Sequence, residues 1–320
     1  MVITQLQNEE VRIEPTNMCN YHCTMCPREL HSRKQGIMSM ELYNSIIKQI
    51  VNLGAKKLVL NNFGEPFVDP TLEEKIKIAK DNNLNTYLVT NASLFHRKSS
   101  YDKTKTKIQA AIDNGLDELR LSFYGKTKDR YKKIMVGGNF DRVLENIKLL
   151  QKYKGKCEVS HYMLEFDEKE DVDSYPQEIK DVVNYYEIWK PHNWGDAYKY
   201  RELNTTEKRS CGRPQKGALH INWSGIVVPC CFDYNEKIIL GDASKESILD
   251  ILNGKKYNDL RKAHNENNYN NYSFCDNCDQ LLCNKNKTAI VYSNNPAHKG
   301  MDKKDIVKRT NTNPNQPLIQ

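Results

Sequence analysis

The chain has 320 residues, with 48 Lys and Arg against 41 Asp and Glu and a formal charge of +7. That length is ample for a buried core in one large domain or two smaller ones. No apolar run approaches the length of a membrane span, and no basic start leads into an apolar secretory stretch, so the expectation is a soluble, cytoplasmic protein with no membrane partner. In chain order, six strands are predicted at 11–15, 56–61, 85–90, 118–123, 157–164 and 185–191. Helices fall between them near 39–53, 71–82, 103–114, 140–153 and 173–183. Ser39 precedes MELYNSIIKQIVNLG, where Leu42, Ile46, Ile47, Ile50 and Leu53 recur at helical spacing and Gly54 stands at the exit; these are a helix start and stop. Alternation of strand and helix implies a parallel sheet.

The excess charge gathers late. Residues 299–309 carry Lys299, Lys303, Lys304, Lys308 and Arg309 against Asp302 and Asp305. They lie in a polar, proline-containing tail, 291–320, that reads as disordered. A surplus of that kind is a solvated surface rather than a nucleic-acid footprint, so nucleic acid is not an expected partner.

Ten cysteines in a chain of this length without a signal point to metal rather than disulfides. Cys157 stands alone in an apolar stretch and reads as a small buried hydrophobe. The other nine form two groups. Cys19, Cys23 and Cys26 lie in CNYHCTMCPREL, after the first strand. Three close thiolates suit a 4Fe-4S cluster with one iron left open, and a zinc site completed by His22 is the alternative. Further motifs follow other strands: NFGEPFVDP the second, TNASL the third, SFYG the fourth and HNWGD the sixth. In closed parallel barrels functional residues gather at such strand ends.

The Cys-x3-Cys-x2-Cys run resembles the signature of the radical S-adenosylmethionine (radical SAM) superfamily, with Met25 before the third cysteine. The resemblance implies a partial (β/α)6 TIM-like barrel over 1–196. It implies a catalytic 4Fe-4S cluster on Cys19, Cys23 and Cys26, whose open iron is chelated by S-adenosyl-L-methionine. Asn62-Phe63-Gly64-Glu65-Pro66 resembles the family's Gly-Gly-Glu-Pro motif, with Phe63 in place of the first glycine. Gly64, Glu65 and Pro66 would then meet the methionine amino group, and Thr90, Asn91 and Ser122 the ribose or carboxylate. Ala92 replaces the glycine of Thr-Asn-Gly, and Tyr21 and Met25 would line the adenine.

Cys211, Cys230, Cys231, Cys275, Cys278 and Cys283 resemble the auxiliary-cluster domains called SPASM and twitch, here a small C-terminal domain over 197–290. Cys211, Cys230, Cys275 and Cys278 form the economical ligand set for one auxiliary 4Fe-4S cluster; Cys231 and Cys283 are spare thiols or substitutes. A four-cysteine zinc site is the alternative. No catalytic residue beyond these is named by the sequence. The implied activity is reductive cleavage of S-adenosylmethionine to a 5'-deoxyadenosyl radical that abstracts hydrogen from substrate. A small-molecule substrate, with oxidation of a sugar-like or aminocyclitol hydroxyl, is the first expectation. The alternatives are a peptide or protein substrate, as for a maturase, and a non-catalytic metal- or nucleic-acid-binding protein. An external electron donor such as flavodoxin or ferredoxin is implied.

Overall fold

The computed structural model describes residues 2–195, 197–200, 208–282 and 290–296. Strands β1 (Glu10–Ile13), β2 (Lys57–Leu60), β3 (Asn85–Thr90), β4 (Glu118–Ser122), β5 (Glu158–Leu164) and β6 (Tyr185–Trp189) lie side by side in chain order. Every neighbouring pair among them is parallel. Helices α1 (Met40–Asn52), α2 (Leu72–Asp81), α3 (Lys107–Asp113), α4 (Lys128–Ile134), α5 (Phe140–Lys148) and α6 (Gln177–Lys180) connect or flank them. This is the mixed α/β fold of a six-stranded partial barrel, with the apolar sides of the helices packed on the sheet. The Ser39 side chain accepts from Leu42 N, and Tyr43, Ile46, Ile47 and Ile50 are buried on one side of α1.

Three expected helices are shorter than predicted; the one expected over 140–153 is α-helical to Lys148 and then a 3-10 turn over Leu149–Tyr153. The one expected from 103 begins at Lys107, because Thr106 caps it by accepting from Gln109 N. The one expected over 173–183 is a 3-10 turn at Val172–Ser174 followed by α6, since Pro176 lacks the donor that would continue the turn. Helix α4, which the sequence reading did not anticipate, is capped by the Thr127 side chain accepting from Arg130 N.

The C-terminal region continues the barrel sheet. It supplies α7 (Arg213–Lys216), β7 (Leu219–Ile221), β8 (Ile226–Val228), β9 (Gly241–Asp242), α8 (Ile248–Asn253), α9 (Lys255–Glu266), α10 (Ser273–Asp276), α11 (Asp279–Leu282) and β10 (Ile290–Ser293). Strand β7 pairs parallel to β1, with Arg12 opposite His220, and β8 and β9 follow it antiparallel. The tail expected to be disordered from 291 therefore starts within a strand. Ile290 to Ser293 pair antiparallel with β6, and Asn294 Oδ1 accepts from Tyr186 N at 2.7 Å. The rest of that tail, from 297, lies outside the described residues.

Candidate functional site

The three clustered cysteines sit on a loop beyond the C-terminal end of β1. Helix α4 and the residues after it hold that loop: His22 N donates to Val136 O at 2.8 Å and Thr24 N to Ile134 O at 3.0 Å. From the other side, the Trp194 indole donates to Met25 O at 3.0 Å and the Tyr198 hydroxyl to Cys26 O at 3.1 Å. The last barrel connection thus clamps the loop that the first strand presents. Burial pushes the Cys19 thiol up to about 12 and Cys26 up to about 11, and raises Cys23 well above its ordinary value. Such thiols keep their protons until a metal displaces them. His22 is turned away: its ring is exposed and lies 2.7 Å from Glu29.

At the end of β2, Glu65 N donates to Met18 O at 2.9 Å, so the second loop lies directly on the first. Glu65 is fully enclosed, and burial lifts its carboxyl to about 7 against the donors it meets. Its Oε1 accepts from the Thr90 hydroxyl at 2.7 Å and from Phe67 N at 3.2 Å, and its Oε2 from Asn91 N at 2.8 Å. Thr90 Oγ1 also accepts from Ala92 N, while the Asn91 side chain meets Asn20 and Ser93 N. The oxygens of Thr90 and Asn91 are therefore engaged within the protein, although both residues border the cavity described next. Ala92 adopts φ +60° where the resemblance expects glycine; the Thr90 bond holds it in a left-handed conformation that costs about 1–2 kcal/mol.

These strand ends line an open cavity of about 280 Å³. Cys19, Cys23 and Cys26 line it, as do Tyr21, Met25, Gly64, Glu65 and Ser122. Pro66 does not; it begins the 3-10 turn Pro66–Val68 behind the wall. Tyr21 is buried, with its hydroxyl 3.3 Å from that of Tyr131. Phe63, which occupies the family's glycine position, joins an aromatic rim: its ring lies 4.8 Å from His31 and 5.4 Å from Trp194. Of the HNWGD motif, His192 and Trp194 line the cavity and Asp196 lies outside the described residues.

Several lining residues escaped the sequence reading. Arg12 and Arg120 reach the cavity from β1 and β4. Arg120 pairs with Glu187 and stacks 4.8 Å from the Tyr162 ring. Their signal was an arginine at a strand position where parallel barrels favour apolar fillers. Phe232 gave no signal, since its position depends on the β7–β1 pairing.

A second, much smaller cavity, of about 20 Å³, lies in the C-terminal region. Cys211, Cys230, Cys275 and Cys278 all line it, together with Arg213 and His264. Burial raises the thiols of Cys230, Cys275 and Cys278. Cys231 faces the other way, into the barrel cavity. Phe232 borders both cavities and forms the wall between them. Cys283 lies outside the described residues. Among the described residues no three His, Cys, Asp or Glu side chains converge on a single-ion site; a cubane cluster needs no such convergence, because each thiolate meets a different iron. No helix among the described residues is long and apolar enough to cross a membrane.

The chain matches the family model of the radical SAM superfamily over residues 13–175 and that of the SPASM iron-sulfur cluster-binding domain over 211–279. It is 20% identical over 278 residues to the S-adenosyl-L-methionine-dependent 2-deoxy-scyllo-inosamine dehydrogenase of Niallia circulans, covering 85% of this chain and 92% of that protein. A shorter alignment reaches a probable GTP 3',8-cyclase of Methanococcus maripaludis, 29% identical over 137 residues, 42% of this chain and 43% of the relative. The fold is shared with Streptococcus suis SuiB bound to precursor peptide SuiA, at TM-score 0.61 and 14% identity over 88% of this chain and 72% of SuiB. With a model matched across half its length and its cysteines gathered at two cavities, the chain belongs to the radical SAM superfamily: it is an iron-sulfur oxidoreductase with a C-terminal SPASM domain that generates a 5'-deoxyadenosyl radical.

Proposed function

We propose that this enzyme oxidises its substrate by two electrons and that the substrate is a side chain of a peptide or protein. The observation that carries the oxidation is Phe232, which borders both the barrel cavity and the cavity of four thiols. In this reading Cys19, Cys23 and Cys26 hold the catalytic cluster and Cys211, Cys230, Cys275 and Cys278 an auxiliary one. When bound, these groups supply a radical that takes a hydrogen atom from a substrate carbon and an acceptor for the second electron, which leaves with a proton and passes to a flavodoxin- or ferredoxin-like protein.

The protein's own part is placement. The Gly64 backbone lies against the loop of Thr16 and Met18, where a side chain would not fit, so the loops after the first two strands meet main chain on main chain. Glu65 locks the second and third strand loops together through Thr90 and Asn91. Tyr21 and Met25 offer an apolar surface for an adenine, and Ser122 a polar contact. Phe63 and Trp194, whose rings pack together at the cavity, offer aromatic contacts to a peptide side chain that enters it. The shared fold of the peptide-bound SuiB supports that choice.

A second reading, oxidation of a sugar-like or aminocyclitol hydroxyl, is favoured by the alignment with the inosamine dehydrogenase over nearly its whole length. The polar lining from Asn61, Arg12 and Arg120 also suits a hydroxylated ring.

The test is an anaerobic reaction with dithionite and S-adenosylmethionine, offered peptides encoded beside the gene or aminocyclitols. A peptide lighter by two hydrogens, formed with 5'-deoxyadenosine, is expected; an oxidised aminocyclitol instead selects the second reading. The loaded protein should hold about eight irons. Cys23→Ala should lose about four of them and all cleavage, whereas Cys275→Ala should lose about four and keep cleavage. Zinc with negligible iron in the wild-type protein would sink the cluster assignment.

A further inference from the structure

The cavity of four thiols is lined by a residue with a buried polar atom that has no hydrogen-bond partner. His264 is 2% exposed. Its Nδ1 lies 3.1 Å from Ser210 Oγ, and its Nε2 is buried without a hydrogen-bond partner although the residue lines the cavity. A dry, unbonded ring nitrogen costs about 1–3 kcal/mol. Ser210 Oγ already accepts from Gly212 N at 3.1 Å, which leaves its hydroxyl hydrogen for Nδ1; Nε2 then carries the ring hydrogen and needs an acceptor. The acceptors the cavity is equipped to gather are sulfurs: four thiolates and the sulfides they would enclose.

Arg213 lines the same cavity. Its guanidinium lies 4.9 Å from the Phe232 ring centre, and its Nη2 donates to Gln280 Oε1 at 3.3 Å. It stands on α7, two residues after Cys211, and it is the only Lys or Arg among the described residues of that lining. The buried carboxylate of Asp279, next in the chain after Cys278, is not part of the lining.

A cluster on four thiolates carries net negative charge and becomes more negative by one on reduction. A fixed cation and an N–H donor at its sulfurs therefore favour the reduced form over the oxidised one. We propose that Arg213 and His264 raise the reduction potential of an auxiliary cluster held by Cys211, Cys230, Cys275 and Cys278, so that it accepts electrons readily. This rests on reading those four thiols as ligands of one iron-sulfur cluster. Both residues act through the ligands and are positioning residues. Arg213 sits on the Phe232 side of the cavity, where an electron leaving the barrel would enter.

The test uses the full chain with Cys19, Cys23 and Cys26 all changed to Ala, so that only the auxiliary cluster reports. Iron and sulfide are quantified after anaerobic reconstitution, and the midpoint potential is read by EPR-monitored redox titration. At a fixed potential near the midpoint, Arg213→Gln is expected to lower the reduced-to-oxidised ratio at least tenfold, a fall of about 59 mV for a one-electron couple. Arg213→Lys, which keeps the charge, should recover more than half of that shift. His264→Phe, which keeps the ring and removes the N–H, should lower the ratio severalfold. Unchanged midpoints at full iron content in both Arg213→Gln and His264→Phe overturn the proposal. If Arg213→Gln loses its iron, the His264→Phe midpoint decides: a fall supports the proposal and no change overturns it. Zinc, or absent iron, in the parent chain overturns the ligand reading itself and is distinguished by the metal content alone.

Discussion

A carbon placed at the Cβ position of Gly64 would stand 2.1 Å from the carbonyl oxygen of Thr16. The loop after the second strand is therefore pressed against the loop after the first, backbone on backbone, with the Glu65 N to Met18 O bond beside the contact. Gly64→Ala cannot be accommodated by a side-chain rotation, because the obstacle is main chain. It should cost about 1–3 kcal/mol and part the two loops that meet at the barrel cavity. The expected outcome is a melting temperature lower by several degrees, with at least tenfold weaker S-adenosylmethionine binding by anaerobic calorimetry. Wild-type affinity in Gly64→Ala would show that the close approach does not serve the cofactor.

Glu65 carries a pH signature of its own. Burial raises its carboxyl from 4.5 to about 7, so between those values the folded state holds a proton that the unfolded state has released. The resulting stability is fully present below about 4.5, declines as pH rises, and is gone above about 7, for a total of about 3 kcal/mol. The imidazoles of half-buried His31 and of buried His161 and His264, lowered to about 4 by desolvation, act in the opposite sense between about 4 and 6.5. The variant Glu65→Gln isolates the carboxyl. Its stability relative to wild type, from urea unfolding at several pH values between 5 and 8, should improve steadily as pH rises to about 7 and then level off. A pH-independent difference would refute the assignment.

The cysteines were legible because a cluster demands fixed spacing along the chain, and the six strands because their apolar runs repeat. Thr90 and Asn91 were located at a strand end but not in their role. Their partner Glu65 is 25 residues from Thr90 and 26 from Asn91, and only the β2–β3 pairing shows that its carboxylate engages both. The C-terminal cysteines pointed to a small auxiliary domain but not to the seating of β7 against β1. A three-residue strand pairing across more than 200 positions has no local periodicity to reveal it. That same pairing aims Cys230 and Cys231 at different cavities, which the sequence Cys-Cys could not indicate.

Lys75 and Asp69 form an ion pair at 2.5 Å with both side chains fully buried, and Lys75 Nζ also donates to Met38 O at 2.7 Å. Asp69 Oδ1 meanwhile holds Thr71 N at the entry to α2. The pair pins the turn that follows Glu65 to the start of α1. Removing one charge strands the other, so Lys75→Met should cost about 3–5 kcal/mol. The double variant Asp69→Asn with Lys75→Met should recover most of that loss. Thermal unfolding by circular dichroism separates the two, and equal destabilisation of the single and double variants would show that packing of the lysine stem, not the pair, was lost.

Phe232 is 3% exposed, and its ring packs 4.8 Å from His192 and 5.6 Å from Trp194 on the barrel side while Arg213 lies over it from the other. Truncation to Ala opens the wall and costs about 3–5 kcal/mol of stability; Phe232→Leu keeps most of the volume and guards against a folding failure. If the ring separates the radical chemistry from its electron acceptor, both variants should still form 5'-deoxyadenosine. The yield of oxidised product per deoxyadenosine should fall, about tenfold or more for Ala and less for Leu, as water or reductant reaches the substrate radical first. Measuring both products in one anaerobic time course supplies the ratio directly. A proportional fall in both would mean that Phe232 only supports the cavity, and the second electron would then need a route other than this wall.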